Sequence, residues 1–144
     1  MKVRDILQGK KQPPITIAPG DTLLAASRLL AEHNVGVLLV VEPDGHPIGV
    51  LSERDIVREF ARKGGSCEDV PVSEVMTADP IIGEMDGDVS QVASVMTRAH
   101  IRHLPIVSEG RLVGLISIRD VVEGQMSASE GEIRRLRAYM NSIP

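Results

Sequence analysis

The sequence predicts an α/β fold of the α+β kind: two copies of a β-α-β-β-α unit, packed about a pseudo-twofold axis, with a C-terminal helix. Three observations predict it. Gly45–Val57 and Gly110–Val122 are identical at six of thirteen aligned positions, so the chain is written twice. Val37–Val41 and Leu104–Val107 are continuous apolar runs, which suit strands buried on both faces. Upstream of each run, apolar residues recur at helical spacing.

The elements follow in order. Val3–Leu7 resembles Val72–Met76. Ile15–Ile17 and Ile81–Ile82 each follow a proline and read as short strands. Asp21–Asn34 and Asp88–His100 read as helices; Leu23, Ala26 and Leu30 fall on Val89, Val92 and Met96 at an offset of 66, with an Asp near each start as a cap. Asp44-Gly45 and Glu109-Gly110 signal hairpin turns into second strands, Ile48–Leu51 and Val113–Ile116. One residue fewer in the second turn changes the offset to 65. Ser52–Arg62 and Ser117–Met126 close the units as helices, and Lys63–Pro71 is a breaker-rich linker. The expected division is 1–68 for the first repeat with its linker, 69–126 for the second, and 127–144 for an amphipathic tail. Ile133, Leu136 and Met140 share one face of that tail, which either caps its own module or crosses to a second subunit. One unit alone is too small to bury its sheet, so the two should pack sheet against sheet.

Composition narrows the function classes. A formal charge of -4 provides no basic field for nucleic acid or anionic lipid. Phe60 and Tyr139 are the only aromatic residues, too few for the stacking platforms of single-stranded nucleic-acid binding. No apolar run is long enough to span a membrane, and the first residues lack the apolar stretch of a secretory signal, so a cytoplasmic location is expected. Cys67, the only cysteine, reads as a spectator in the linker.

The repeated corner, Gly49–Asp55 and Gly114–Asp120, carries the chemistry. It falls where a strand ends and a helix begins, where unpaired amides and the helix dipole favour an anion. Ser52 and Ser117 add a hydroxyl, Arg54 and Arg119 a fork of donors for phosphate, and Asp55 and Asp120 acceptors for vicinal ribose hydroxyls. The competing reading is a capping box, with Ser as N-cap and Asp three residues on. The two readings are compatible. Recurrence of the Arg, which capping does not require, favours a ligand.

Two β-α-β-β-α units, each with this corner and a strand like Arg102-His-Leu-Pro-Ile-Val107, resemble the CBS domain pair, or Bateman module, over roughly residues 1–126. The resemblance implies that Asp55 and Asp120 hold ribose, with Ser52 and Ser117 assisting. It implies that adenine lies against Thr16, Val35 and Gly36 in the site of Asp120, and against Ile82, Ile101 and Arg102 in the site of Asp55. Arg102 and His103 match basic positions that reach phosphates, where the first repeat has Gly36 and Val37. The site of Asp120 is therefore expected to be the more positive and to prefer a phosphorylated ligand, with only Arg54 near Asp55. The implied ligand is an adenine nucleotide (AMP, ADP, ATP or NAD(H)) rather than a catalytic cofactor, and the implied assembly is a homodimer that signals to a regulated protein.

The remaining constellations point elsewhere. His100 and His103 would lie on opposite faces of a strand and lack a third metal ligand. Asp79, Glu84, Asp86 and Asp88 read as a solvated, capping stretch. No nucleophile elbow, H-E-x-x-H or phosphate-binding G-x-x-x-x-G-K-S/T loop is present, so no enzyme activity is expected. The alternative to a nucleotide sensor is a constitutive homodimeric scaffold whose corners are only helix caps.

Overall fold

The computed structural model describes residues 1–142. Its elements are α1 (Val3–Gln8), β1 (Thr16–Ile17), α2 (Leu23–His33), β2 (Val37–Val41), β3 (Pro47–Ser52), α3 (Glu53–Lys63), a 3₁₀ turn (Val72–Glu74), β4 (Thr77–Ala78), β5 (Gly83–Glu84), α4 (Val89–Ala99), β6 (His103–Ser108), β7 (Arg111–Ser117) and α5 (Ile118–Ser142). No helix among the described residues is long and apolar enough to cross a membrane.

Duplication extends to fine detail. β1 runs parallel to β2 and β5 parallel to β6, while β2–β3 and β6–β7 are antiparallel hairpins. Both hairpins carry an irregularity at the same place, between Val40 and Val41 and between Ile106 and Val107. α2 and α4 both end on a left-handed residue, Asn34 at φ 51° and His100 at φ 55°. His100 is thus a helix terminator.

Each repeat has its own apolar core. Ala26, Leu30, Leu38, Val40 and Leu51 fill the first, and Val92, Met96, Leu104, Ile106 and Ile116 fill the second. These are equivalent positions of the two copies. Neither core contains a buried polar or charged residue. Leu39 and Pro105 are also fully buried but belong to neither cluster, because alternate strand residues point to the opposite face, where the two sheets meet.

The leading segments cross over. Val3 of α1 is buried in the core of the second repeat, and Val70 and Val72 in that of the first. The crossing is symmetric: a side chain added at Gly114 would strike Leu7, and one at Gly49 would strike Met76. Glycine is required there because the arms lie directly on the strands. β4 extends the crossing by pairing with β3, Thr77 against Val50 and Ala78 against Gly49.

Several expectations are corrected. The second parallel strand is Gly83–Glu84 rather than Ile81–Ile82, which are both 46% exposed. Gly83 suits the edge of β6 because it can lie over Leu104 and Ile106, where a Cβ would not fit. Thr22, not Asp21, caps α2, and Asp88 caps α4 without a side-chain bond. Asp88 instead pairs with Lys2 at 2.7 Å, and Asp86 with Arg4, so the acidic stretch docks α1. Cys67 is buried in the first core, not displayed on a linker.

The closing helix and the tail form one helix of 25 residues, about 37 Å long. Gly124 and Gly131 each cost about 1 kcal/mol in a helix, but Glu, Arg, Leu, Met and Ala around them are strong helix formers. The tail does not cap its module, since Ile133, Leu136 and Met140 are exposed. Residues 143–144 of the expected tail lie outside the described residues.

Candidate functional site

The two corners are built alike. In the first, Ser52 Oγ accepts from the Asp55 amide at 3.2 Å, and Asp55 Oδ2 accepts from the Ser52 amide at 2.8 Å. In the second, the corresponding bonds between Ser117 and Asp120 are 3.1 and 2.8 Å. Both are complete capping boxes. The next amide in each corner is also engaged: Glu53 donates to the Gly36 carbonyl at 3.0 Å and Ile118 to the Arg102 carbonyl at 2.8 Å. Most of the first-turn amides expected to await an anion are therefore taken. What remains in each corner is the aspartate's second oxygen, Oδ1, which makes no hydrogen bond among the described residues.

Two hollows lie between the sheets. One, of about 390 Å³, is lined by Ser52 and Asp55 of the first repeat and by Ile81, Ile101, Arg102, His103 and Pro105 of the second. The other, of about 350 Å³, is lined by Ser117, Leu115, Gly114 and His103 of the second repeat, by Ile15, Val35 and Gly36 of the first, and by Lys10 and Lys11. Both volumes fall within the range of small-molecule sites, at about 300–1,000 Å³. The apolar part of their walls is aliphatic, as the scarcity of aromatic residues requires, and polar or charged side chains complete each lining.

Asp120, expected in the second hollow, is not one of its lining residues; it is tied to the hollow through Lys10, which is. Lys10 Nζ lies 2.7 Å from Asp120 Oδ2 and 2.8 Å from the Leu115 carbonyl. Burial pushes the Asp120 carboxyl up, but bonds from Lys10 and from the Ser117 amide and hydroxyl outweigh it and hold the carboxyl below the usual range. His103 opens β6 and lines both hollows. Burial lowers its pKa, the positive charge of Lys10 lowers it further, and that of Arg102 adds to this against the opposing pull of Asp120.

The expected site residues divide as follows. Ser52, Asp55, Ile101, Arg102 and His103 meet in one hollow, and Val35, Gly36, Ser117 and His103 in the other. Ile15, just before β1, and Ile81, two residues before β5, line the hollows where Thr16 and Ile82 were expected. Arg54 is exposed and lines neither hollow; Arg119 lies along α5, pairing with Glu123 at 3.0 Å. Arg102 stands on the Asp55 side, so that hollow is not limited to Arg54. The positive charge beside Asp120 comes instead from Lys10 and Lys11. Sequence reasoning missed these lysines. Their signal was available in the crossing of the arms: Leu7 aligns with Met76, and the residues just after Met76 edge the other sheet.

The chain resembles proteins of one family along most of its length. It is 32% identical to the CBS domain-containing protein CBSX3, mitochondrial, of Arabidopsis thaliana, over 83% of this chain, and spans about 60% of that relative's length. Among solved structures, the CBS-domain containing protein ATU1752 of Agrobacterium tumefaciens is 32% identical, with a TM-score of 0.80 covering 87% of this chain and 99% of that one. The CBS domain protein PAE2072 of Pyrobaculum aerophilum, complexed with AMP, is 29% identical, with a TM-score of 0.73 covering 83% and 89%. The CBS domain pair of protein MJ0100, in complex with 5-methylthioadenosine and S-adenosyl-L-methionine, is 26% identical, with a TM-score of 0.77 covering 89% and 98%. The CBS domain model matches residues 3–62 and 72–127. With two such repeats facing each other across paired hollows, the chain belongs to the CBS domain family.

Proposed function

We propose that this chain is a regulatory module that binds an adenosine-containing nucleotide in one or both hollows between its repeats. The observation that carries this reading is the placement of each corner beside a hollow that also holds a basic side chain: Asp55, fixed by its capping box, lines its hollow directly, and Asp120, fixed in the same way, is joined to the other through Ser117 and Lys10. Aliphatic walls suit a purine ring, the aspartate suits vicinal hydroxyls, and Lys10, Lys11 and Arg102 suit phosphates. Similar proteins bound to AMP or to S-adenosyl-L-methionine support the adenosine class. Among AMP, ADP, ATP and NAD(H), the lysines beside Asp120 favour a phosphorylated ligand.

The module acts by binding rather than by catalysis. A ligand gripping both repeats favours one angle between them, through unequal affinity for the two arrangements. A partner protein reads that angle. Ile118, Val122, Met126, Ile133, Leu136 and Met140 form an exposed apolar stripe along α5, which fits pairing with a second copy as a homodimer. Cys67 is a buried free thiol, which fits a reducing compartment such as the cytoplasm.

A second reading is favoured by the completeness of both capping boxes: a constitutive scaffold whose aspartates only cap helices. Thermal unfolding with AMP, ATP, NAD(H) and S-adenosylmethionine separates the two. A ligand at a hundred times its dissociation constant adds about 2.7 kcal/mol of stability. Absence of any shift at millimolar ligand would leave the scaffold.

A further inference from the structure

The arm between α1 and β1 treats one hollow differently from the other. Lys10, on this arm, places its ammonium against Asp120 Oδ2 and the Leu115 carbonyl. That same Oδ2 already accepts the Ser117 amide, so its two lone pairs are filled. Leu115 is the equivalent of Val50, whose strand edge is covered by β4. Lys10 thus caps an edge position that a strand covers in the first repeat. The ion pair is two-thirds shielded on the lysine side and more on the aspartate side, with side-chain exposures of 32% and 18%. Asp55 has no such partner: its Oδ2 accepts only the Ser52 amide among the described bonds.

We propose that Lys10 is the specificity residue of the Asp120 hollow: it occupies the edge of Asp120 that a ribose needs, and yields it only to a ligand whose anionic group takes over the ammonium. This rests on the nucleotide reading above and adds the rule of selection. A vicinal diol bridging both oxygens of Asp120 displaces Lys10 from Oδ2. A nucleoside then leaves the ammonium with the Leu115 carbonyl and beside the second cation Lys11, with no new anion in place of the carboxylate. A nucleotide supplies one. The flexible methylene stem of lysine lets the charge swing from carboxylate to phosphate without moving the backbone. The hollow therefore admits nucleotides and rejects their nucleosides, although both carry the same base and sugar.

The test is calorimetric titration of the full chain with AMP and with adenosine, in an Asp55→Ala background that leaves one hollow to report. Asp55→Asn, which can retain the cap, replaces it if that variant does not fold. AMP is expected to bind at least tenfold more tightly than adenosine. In Lys10→Met, AMP should weaken about tenfold while adenosine holds or improves, so the preference disappears. Equal weakening of both ligands by Lys10→Met, or an unchanged ratio, would overturn the proposal and make Lys10 a structural tie. Equal affinity of the two ligands before Lys10 is altered would also overturn it and leave the nucleotide reading standing. If the unsubstituted chain binds neither, the nucleotide reading fails and takes the proposal with it.

Discussion

The two hollows share a scaffold and differ in charge. Around Asp120 the crossing arm brings Lys10 and Lys11, and Lys10 pairs directly with the carboxylate. Around Asp55 the corresponding arm brings Asp79 and Pro80, and the positive group comes from Arg102 of the opposite repeat. Corner geometry, with its bonds of 2.8 and 3.1–3.2 Å, is the same in both. Duplication therefore preserved the part of each site that folding requires, since the capping box starts a helix. It let the arms diverge at Lys10, Lys11 and Asp79, which line the hollows without belonging to either core.

The largest effect should come from removing the aspartates one at a time. Asp120→Ala is expected to lower nucleotide affinity in its hollow roughly ten- to a hundredfold, or about 1.5–3 kcal/mol, if the carboxylate makes charge-assisted bonds to ribose. Asp55→Ala should do the same in the other hollow. Each also loses a cap, so stability should fall by about 1 kcal/mol in both. Titration calorimetry alongside denaturant unfolding separates the two effects. Equal stability losses with no change in affinity would reduce both corners to helix caps.

A comparable effect on stability is expected where the arms lie on the strands. Gly114→Ala places a Cβ 2.6 Å from Leu7, so Leu7 must move off β7. A loss of about 1–3 kcal/mol in urea unfolding is expected, the usual cost of overpacking. Gly114→Ala should also shift Lys10, three residues beyond Leu7. Gly49→Ala meets Met76 Sδ, and the Thr77 carbonyl of β4 at 3.2 Å; the methionine can bend away but the strand backbone cannot, so the loss should be at least as large as for Gly114→Ala. A smaller loss for Gly49→Ala would reverse this ranking of the arms.

Much of this was legible in the sequence because it depends on period and local chemistry. Six identities in thirteen positions reveal a repeat, apolar runs reveal buried strands, and Ser-x-x-Asp after a strand reveals a cap. These signals lie within a few residues of one another. What escaped depends on distant packing. Thr16 gave way to Ile15 because neighbouring residues of an extended segment face opposite ways, and Ile82 to Ile81 where the strand begins only at Gly83. Arg119 fits the phosphate pattern, but Glu123 one helical turn on offers it a nearer partner. Lys10 lies 110 residues from Asp120, and only the crossing of α1 onto the second repeat joins them. The helix 118–142 runs through the boundary expected at 126/127, where the repeat pattern ends but no proline or turn sequence stops the helix.

A smaller effect should distinguish the hollows by their cations. Arg102 is exposed at the Asp55 hollow, where a phosphate would be partly hydrated. Arg102→Ala is expected to weaken AMP several-fold, within the range of one solvent-screened charged contact. Adenosine should be nearly unaffected. An equal loss for both ligands would mean that Arg102 contacts the base or ribose instead. If the effect survives in Asp55→Ala but vanishes in Asp120→Ala, Arg102 serves the other hollow and the charge comparison must be redrawn.

The smallest effect concerns pH and His103, the titratable side chain that lines both hollows. Burial holds His103 below its ordinary pKa; Lys10 and Arg102 push the same way, and Asp120 only partly offsets them. In the unfolded chain the imidazole takes a proton near pH 6.5. Between that value and its lower folded value, the unfolded state binds more protons, so stability rises with pH. The contribution is complete above about pH 6.5 and is lost as pH falls through the folded value. Asp120 contributes in the same direction at lower pH, below the ordinary carboxylate value, as its pairing with Lys10 breaks. Thermal unfolding between pH 7.5 and pH 5, scanned over roughly the histidine range, should therefore show a decline that His103→Asn flattens. Bound AMP should reduce the decline in the unsubstituted chain, because a phosphate beside His103 favours its protonated form. A decline unchanged by both His103→Asn and AMP would place the pH response outside the hollows and show that His103 lies at their shared wall without sensing what fills them.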